Sequence, residues 1–161
     1  MDTLFKNVWV VTVDEQMRVL ENASVRVQNG RITYVGTEPQ DETSARVIDG
    51  KGRKMLMPGF VNGHTHLPMV LFRSSADDLE LQTWLNTRIF PMEARLTLDS
   101  VECGAELALC EMARAGVTTI NDMYTQCRGL LPALEKVPMR ATLSMGLFGQ
   151  MDNAQAQLDD A

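Results

Sequence analysis

The sequence predicts an α/β chain in two parts, a small β unit over residues 1–57 and parallel strand–helix units over residues 58–161. Three observations carry this. Before Pro58 the chain runs in short stretches of β-branched and aromatic residues, broken by Asn29-Gly30 and by Gly50-Lys51-Gly52. After Pro58, strand-like runs alternate with stretches of helical periodicity. The only two histidines, His64 and His66, stand just past that change of texture, one residue apart.

Each element has its own warrant. Residues 4–13, LFKNVWVVTV, are rich in residues that suit a half-buried strand. SVRVQNGRITYVG reads as two strands joined at Asn29-Gly30, the dipeptide that best tolerates the positive φ of a tight hairpin. Val25 and Val27 share one face, and Ile32 and Tyr34 share one on the returning strand. Residues 37–45 are a polar loop; residues 46–49 and 54–57, flanking Gly50-Lys51-Gly52, read as a second hairpin, so the unit is expected to be antiparallel. Residues 60–66 read as a strand. DLELQTWLNTRIF follows with mainly helical spacing, and Pro91 is expected to end or kink it. Thr97 is a plausible N-cap for a helix whose apolar stripe runs through Val101, Ala105, Ala108 or Leu109, and Met112, with Gly116 at its C′ position. Val117 to Ile120 reads as a buried strand, Leu130 to Lys136 as a short helix, Met139 to Leu147 as a third strand, and the acidic tail from Gly149 as the start of another helix. Strand–helix alternation of this kind makes parallel sheets with crossover connections.

Composition narrows the function. At 161 residues, 45% hydrophobic and 22% charged, the chain has the make-up of a globular domain. A net charge of −6 with no Lys/Arg run longer than two argues against nucleic acid as a partner, which demands a clustered basic face. No apolar run reaches the eighteen residues of a membrane span, and the acidic N-terminus lacks the basic region of a signal peptide, so a cytoplasmic location without membrane association is expected. Three cysteines without CxxC spacing read as reduced thiols, and eleven scattered methionines as gap-filling core residues.

The chemistry gathers in MPGFVNGHTHLPM, residues 57–69. On a strand, His64 and His66 share a face, and two imidazoles converging from one strand can supply half of a metal's shell. Two strand histidines without a metal are the plainer alternative. The stretch resembles the signature of the amidohydrolase superfamily, a Pro-Gly and apolar run leading to His-x-His on the first strand of a (β/α)8 TIM barrel. VRVQNGRITYVG and VIDGKGRKMLMPGF resemble that family's N-terminal β-sandwich, here incomplete. DDLELQTWLNTRIFPMEARLT and GAELALCEMARAGVTTINDMY resemble the deaminases of methylthioadenosine and S-adenosylhomocysteine and the related chlorohydrolases.

The resemblance implies a hydrolytic deaminase of a purine nucleoside that uses one divalent metal, zinc or alternatively iron, held in part by His64 and His66. It implies that Glu93 holds the ribose hydroxyls and that Trp84 lies over the substrate; a surface carboxylate and a core tryptophan are the plain readings. Asp122 either orients a ligand histidine or caps a turn. Met145 stands where some nucleoside deaminases carry an arginine, and Cys127 reads as a structural or exposed thiol rather than a ligand. The family's further ligands and proton shuttle have no match here, since there is no third histidine. A barrel takes about 250 residues, so the general acid/base is expected outside residues 1–161 and the rest of the barrel in another chain or a continuation, with homo-oligomerisation a further expectation. Chloride or free-base hydrolysis on the same fold, and a non-catalytic subunit that only completes a barrel, are the rival readings.

Overall fold

A computed structural model of the protein describes residues 2–146, which divide into two units between Pro58 and Gly59. Leu147 and the expected tail helix lie outside the described residues.

The first unit is a single five-stranded sheet built on β1 (Asp2–Val11). On one side of β1 lies β2 (Val19–Gln28), antiparallel, followed by β3 (Arg31–Gly36). The β2–β3 turn has Asn29 at φ 51° and Gly30 at φ 75°, the left-handed pair that the hairpin reading required. On the other side lie β4 (Arg46–Asp49) and β5 (Met55–Leu56), and both run parallel to β1. The second hairpin is therefore absent, and the sheet is mixed rather than antiparallel.

The cause lies in β1 itself. Asn7 sits at φ 53° and interrupts the ladder. The connecting segment steps over this break while staying bonded to β1: Gly50 N–H donates to the Lys6 carbonyl and Gly52 N–H to that of Asn7, both at 2.8 Å, and Trp9 N–H donates to the Lys54 carbonyl at 2.9 Å. A Cβ on Gly50 would lie 2.7 Å from the Asn7 carbonyl oxygen, so glycine here permits close approach, not chain reversal. Val8, Val10, Ala23 and Val25 form this unit's core.

The second unit begins with β6 (Phe60–Thr65), which pairs in parallel with β7 (Val117–Met123), itself parallel to β8 (Arg140–Ser144). Between β6 and β7 runs α3 (Leu98–Arg114), capped by Thr97, whose hydroxyl oxygen accepts the Ser100 N–H at 3.2 Å. Its buried face carries Val101, Ala105, Ala108 and Leu109, which pack with Leu67, Ile120 and Leu130 in one core. The connection from β7 to β8 passes through α4 (Leu130–Lys136). No helix among the described residues is long and apolar enough to cross a membrane.

Two boundaries differ from expectation. β6 stops at Thr65, and His66 leads instead into a 3-10 turn over Leu67–Phe72. Pro91 does not end its helix. The chain winds as α1 (Leu81–Trp84), widens into a π-turn at Leu85–Ile89, and resumes as α2 (Phe90–Glu93). In the wide turn Phe90 N–H reaches back to the Leu85 carbonyl. A proline in ordinary α winding would press its ring on the carbonyl four residues earlier, and the wider turn relieves that contact.

Candidate metal and substrate cleft

Parallel strands present the residues at their C-terminal ends to one edge of the sheet, where open α/β sheets and barrels place their chemistry. At that edge β6 delivers His64-Thr65-His66 and β7 delivers Asp122-Met123-Tyr124. The two imidazoles meet edge to face with ring centroids 4.7 Å apart, so the one-residue spacing does bring them together. Two asparagine side chains hold the strand end in place. Asn62 Oδ1 accepts the His64 N–H at 3.2 Å, and the Asn121 side chain donates to the Gly63 carbonyl at 3.1 Å.

The His66 ring has a defined tautomer. Its Nδ1 lies 2.6 Å from the Met123 carbonyl oxygen, which can only accept, so Nδ1 carries the proton. The Nε2 lone pair of the neutral ring is then free, which is the form a metal needs. His64 and His66 thus fit half a metal shell. Among the described residues no group of three or more His, Cys, Asp or Glu side chains converges to complete one.

Asp122 is fully buried behind the histidines. One carboxylate oxygen accepts the Leu67 N–H at 2.7 Å, and the other has no partner among the described residues. The bond ties β7 to the residue after His66, 55 positions earlier in the chain. Burial raises the pKa of this carboxyl, opposed by the Leu67 amide and by the nearby His66 and His64. A raised folded-state pKa means the folded chain binds more protons than the unfolded one, so stability falls as pH rises from the ordinary carboxylate value through the raised one. Replacing Asp122 by alanine should cost about 1–3 kcal/mol more than replacing it by asparagine, because alanine leaves the buried Leu67 N–H unpaired. Urea unfolding compares the two, and equal midpoints would remove the Leu67 bond from the account.

Beside His66 opens a cleft of about 260 Å³, lined by Met69, Trp84, Phe90, Glu93 and Tyr124 among others. It therefore brings together three of the residues singled out in the sequence: His66, Trp84 and Glu93. Trp84 and Glu93 are half-buried and stand on either side of the π-turn. Met145, half-buried one residue beyond β8, is not among the lining residues, and Cys127 packs against the core. Tyr124 was not apparent from the sequence. It is 4% exposed, its hydroxyl is buried, and it faces the Glu93 carboxylate without a completed hydrogen bond. Burial chiefly, then the Glu93 charge, raises its pKa, so the phenol stays protonated.

Residues 55–159 match the amidohydrolase family. The chain belongs to that family. Among curated amidohydrolase relatives, the 5'-deoxyadenosine deaminase of Methanobrevibacter smithii is 42% identical over 139 residues, covering 85% of this chain and 32% of the relative. The 5-methylthioadenosine/S-adenosylhomocysteine deaminase of Thermoanaerobacter pseudethanolicus is 38% identical over 152 residues, 94% of this chain and 35% of its own length. An adenosine deaminase structure from Xanthomonas campestris with bound zinc superposes with a TM-score of 0.71 at 34% identity, over 87% of this chain and 33% of that one. This amidohydrolase chain spans about a third of the length of the curated relatives it matches.

Proposed function

We propose that the chain is the opening portion of a metal-dependent deaminase of purine nucleosides, with a substrate close to 5'-deoxyadenosine or methylthioadenosine. The observation that carries this reading is the cleft in which His66, Trp84 and Glu93 meet. The first unit would be part of a β-sandwich and the second the first strands of a (β/α)8 barrel. Relatives near 40% identity named as deaminases of such nucleosides support the substrate class.

His64 and His66 would hold one zinc ion together with ligands from outside the described residues. When bound, the metal would supply a water acidic enough to attack an sp² carbon at neutral pH. The remaining work falls to the chain's own groups. The Met123 carbonyl keeps the His66 lone pair directed away from β7. Glu93, an acceptor with two oxygens, suits two adjacent ribose hydroxyls, and Trp84 offers an apolar wall to the sugar or its 5' substituent.

The test is ammonia release by the complete metal-loaded enzyme from adenosine, from its 2',3'-dideoxy analogue and from adenine. Adenosine should exceed both others in kcat/KM by at least about a hundredfold, since a site built for hydroxyls rejects analogues lacking them. Equal rates on all three, or faster chloride release from a chlorinated triazine, would overturn the reading.

A further inference from the structure

The Tyr124 hydroxyl is a polar group of the cleft wall that the proposed chemistry leaves without a task. Its O–H is buried with no completed hydrogen bond among the described residues, an arrangement that costs free energy unless something else completes it. Phenylalanine would fill the same space without that cost, so packing does not account for the oxygen. Tyr124 directly follows β7, a strand fixed on both sides by β6 and β8, and its N–H donates to the Ser144 carbonyl at 3.0 Å, whereas Glu93 lies at the end of the last helical turn after the π-turn. A rigid donor therefore faces a carboxylate carried on a less regular segment, and both line the same cleft.

We infer that Tyr124 is a positioning residue for Glu93, its hydroxyl donating to one carboxylate oxygen when the nucleoside binds and so aiming the other lone pairs at the ribose diol. The inference rests on the diol-binding role proposed for Glu93. An ionised carboxylate has about four acceptor directions, so one bond to Tyr124 leaves enough for two hydroxyls. A hydrogen bond fixed in advance also reduces the ordering that substrate must impose on Glu93. The phenol proton persists at working pH because burial and the Glu93 charge both oppose its loss.

The experiment is a kinetic comparison of Tyr124→Phe, Glu93→Gln and the double variant in the complete metal-loaded enzyme, with adenosine, 2',3'-dideoxyadenosine and adenine as substrates. Tyr124→Phe should raise KM for adenosine about tenfold, the scale of one hydrogen bond to a charged group, and leave kcat nearly unchanged. It should leave the dideoxynucleoside and adenine unaffected, and it should cost nothing further once Glu93 is glutamine. Its thermal midpoint should equal or exceed that of the parent, because an unpaired buried hydroxyl has gone. Equal losses on all three substrates, or losses that multiply in the double variant, would overturn the inference. If Glu93→Gln impairs adenosine and Tyr124→Phe does not, this inference alone fails. If Glu93→Gln spares adenosine, the diol reading fails and the inference with it.

Discussion

Replacing His64 and His66 together by alanine is expected to empty the proposed metal site and to lower turnover of the complete enzyme by at least about a thousandfold, because the attacking water would then have a pKa near 15.7 instead of about 7. The expectation follows from two rings in contact at 4.7 Å and from a His66 tautomer that leaves Nε2 unprotonated. His66 also anchors β6 to β7 through Nδ1, so alanine removes two functions at once. Asparagine separates them. Its side-chain amide can still donate to the Met123 carbonyl but has nothing in the place of Nε2. His66→Asn should therefore fold like the parent and still lose metal, as measured by elemental analysis of the purified protein. Metal content undiminished in the double alanine variant would take both histidines out of the site.

Glu93→Gln is expected to lower kcat/KM for a purine nucleoside by about tenfold to a hundredfold, the scale of hydrogen bonds to a charged group. Glutamine keeps one acceptor oxygen and replaces the other with a donor. A diol that offers two O–H groups then meets an N–H where it needs a lone pair. The loss should fall on KM, since the hydroxyls lie away from the reacting carbon and bind alike in ground and transition states. Adenine, which has no diol, should be turned over as before. Equal losses on nucleoside and free base would assign Glu93 to general cleft structure.

Local rules made much of this legible. The Asn29-Gly30 hairpin, the Thr97 cap and the buried stripe of α3 depend on residues close in sequence, and each stands where the pattern put it. The contact of His64 with His66 follows from their one-residue spacing at the end of β6, although His66 itself lies just past the strand. What escaped depends on distant partners. Gly50-Lys51-Gly52 suits a reversing turn as well as a close crossing, and only the break at Asn7, over forty residues earlier, decides between them. Pro91 reads as a helix end or a kink, and the sequence does not mark the wide turn that lets the helix continue through it. Asp122 acquires its role from Leu67, and Tyr124 from Glu93. In the sequence they are an aspartate and a tyrosine flanking a methionine at a strand's end.

The wide turn at Leu85–Ile89 has a geometric consequence for anyone editing this segment. A π-turn holds one more residue than the α winding around it, so it acts as a single-residue insertion absorbed within a continuous helix. Each residue of an α-helix advances about 100° around the axis. Were the same residues wound as regular α throughout, everything beyond the turn would stand about that angle further round the axis. Trp84, ahead of the turn, would keep its bearing on the cleft, while the Glu93 carboxylate would rotate off it. Regular winding of the full segment would thus separate Trp84 from Glu93, whereas deleting the one absorbed residue should straighten the helix and keep the two in phase.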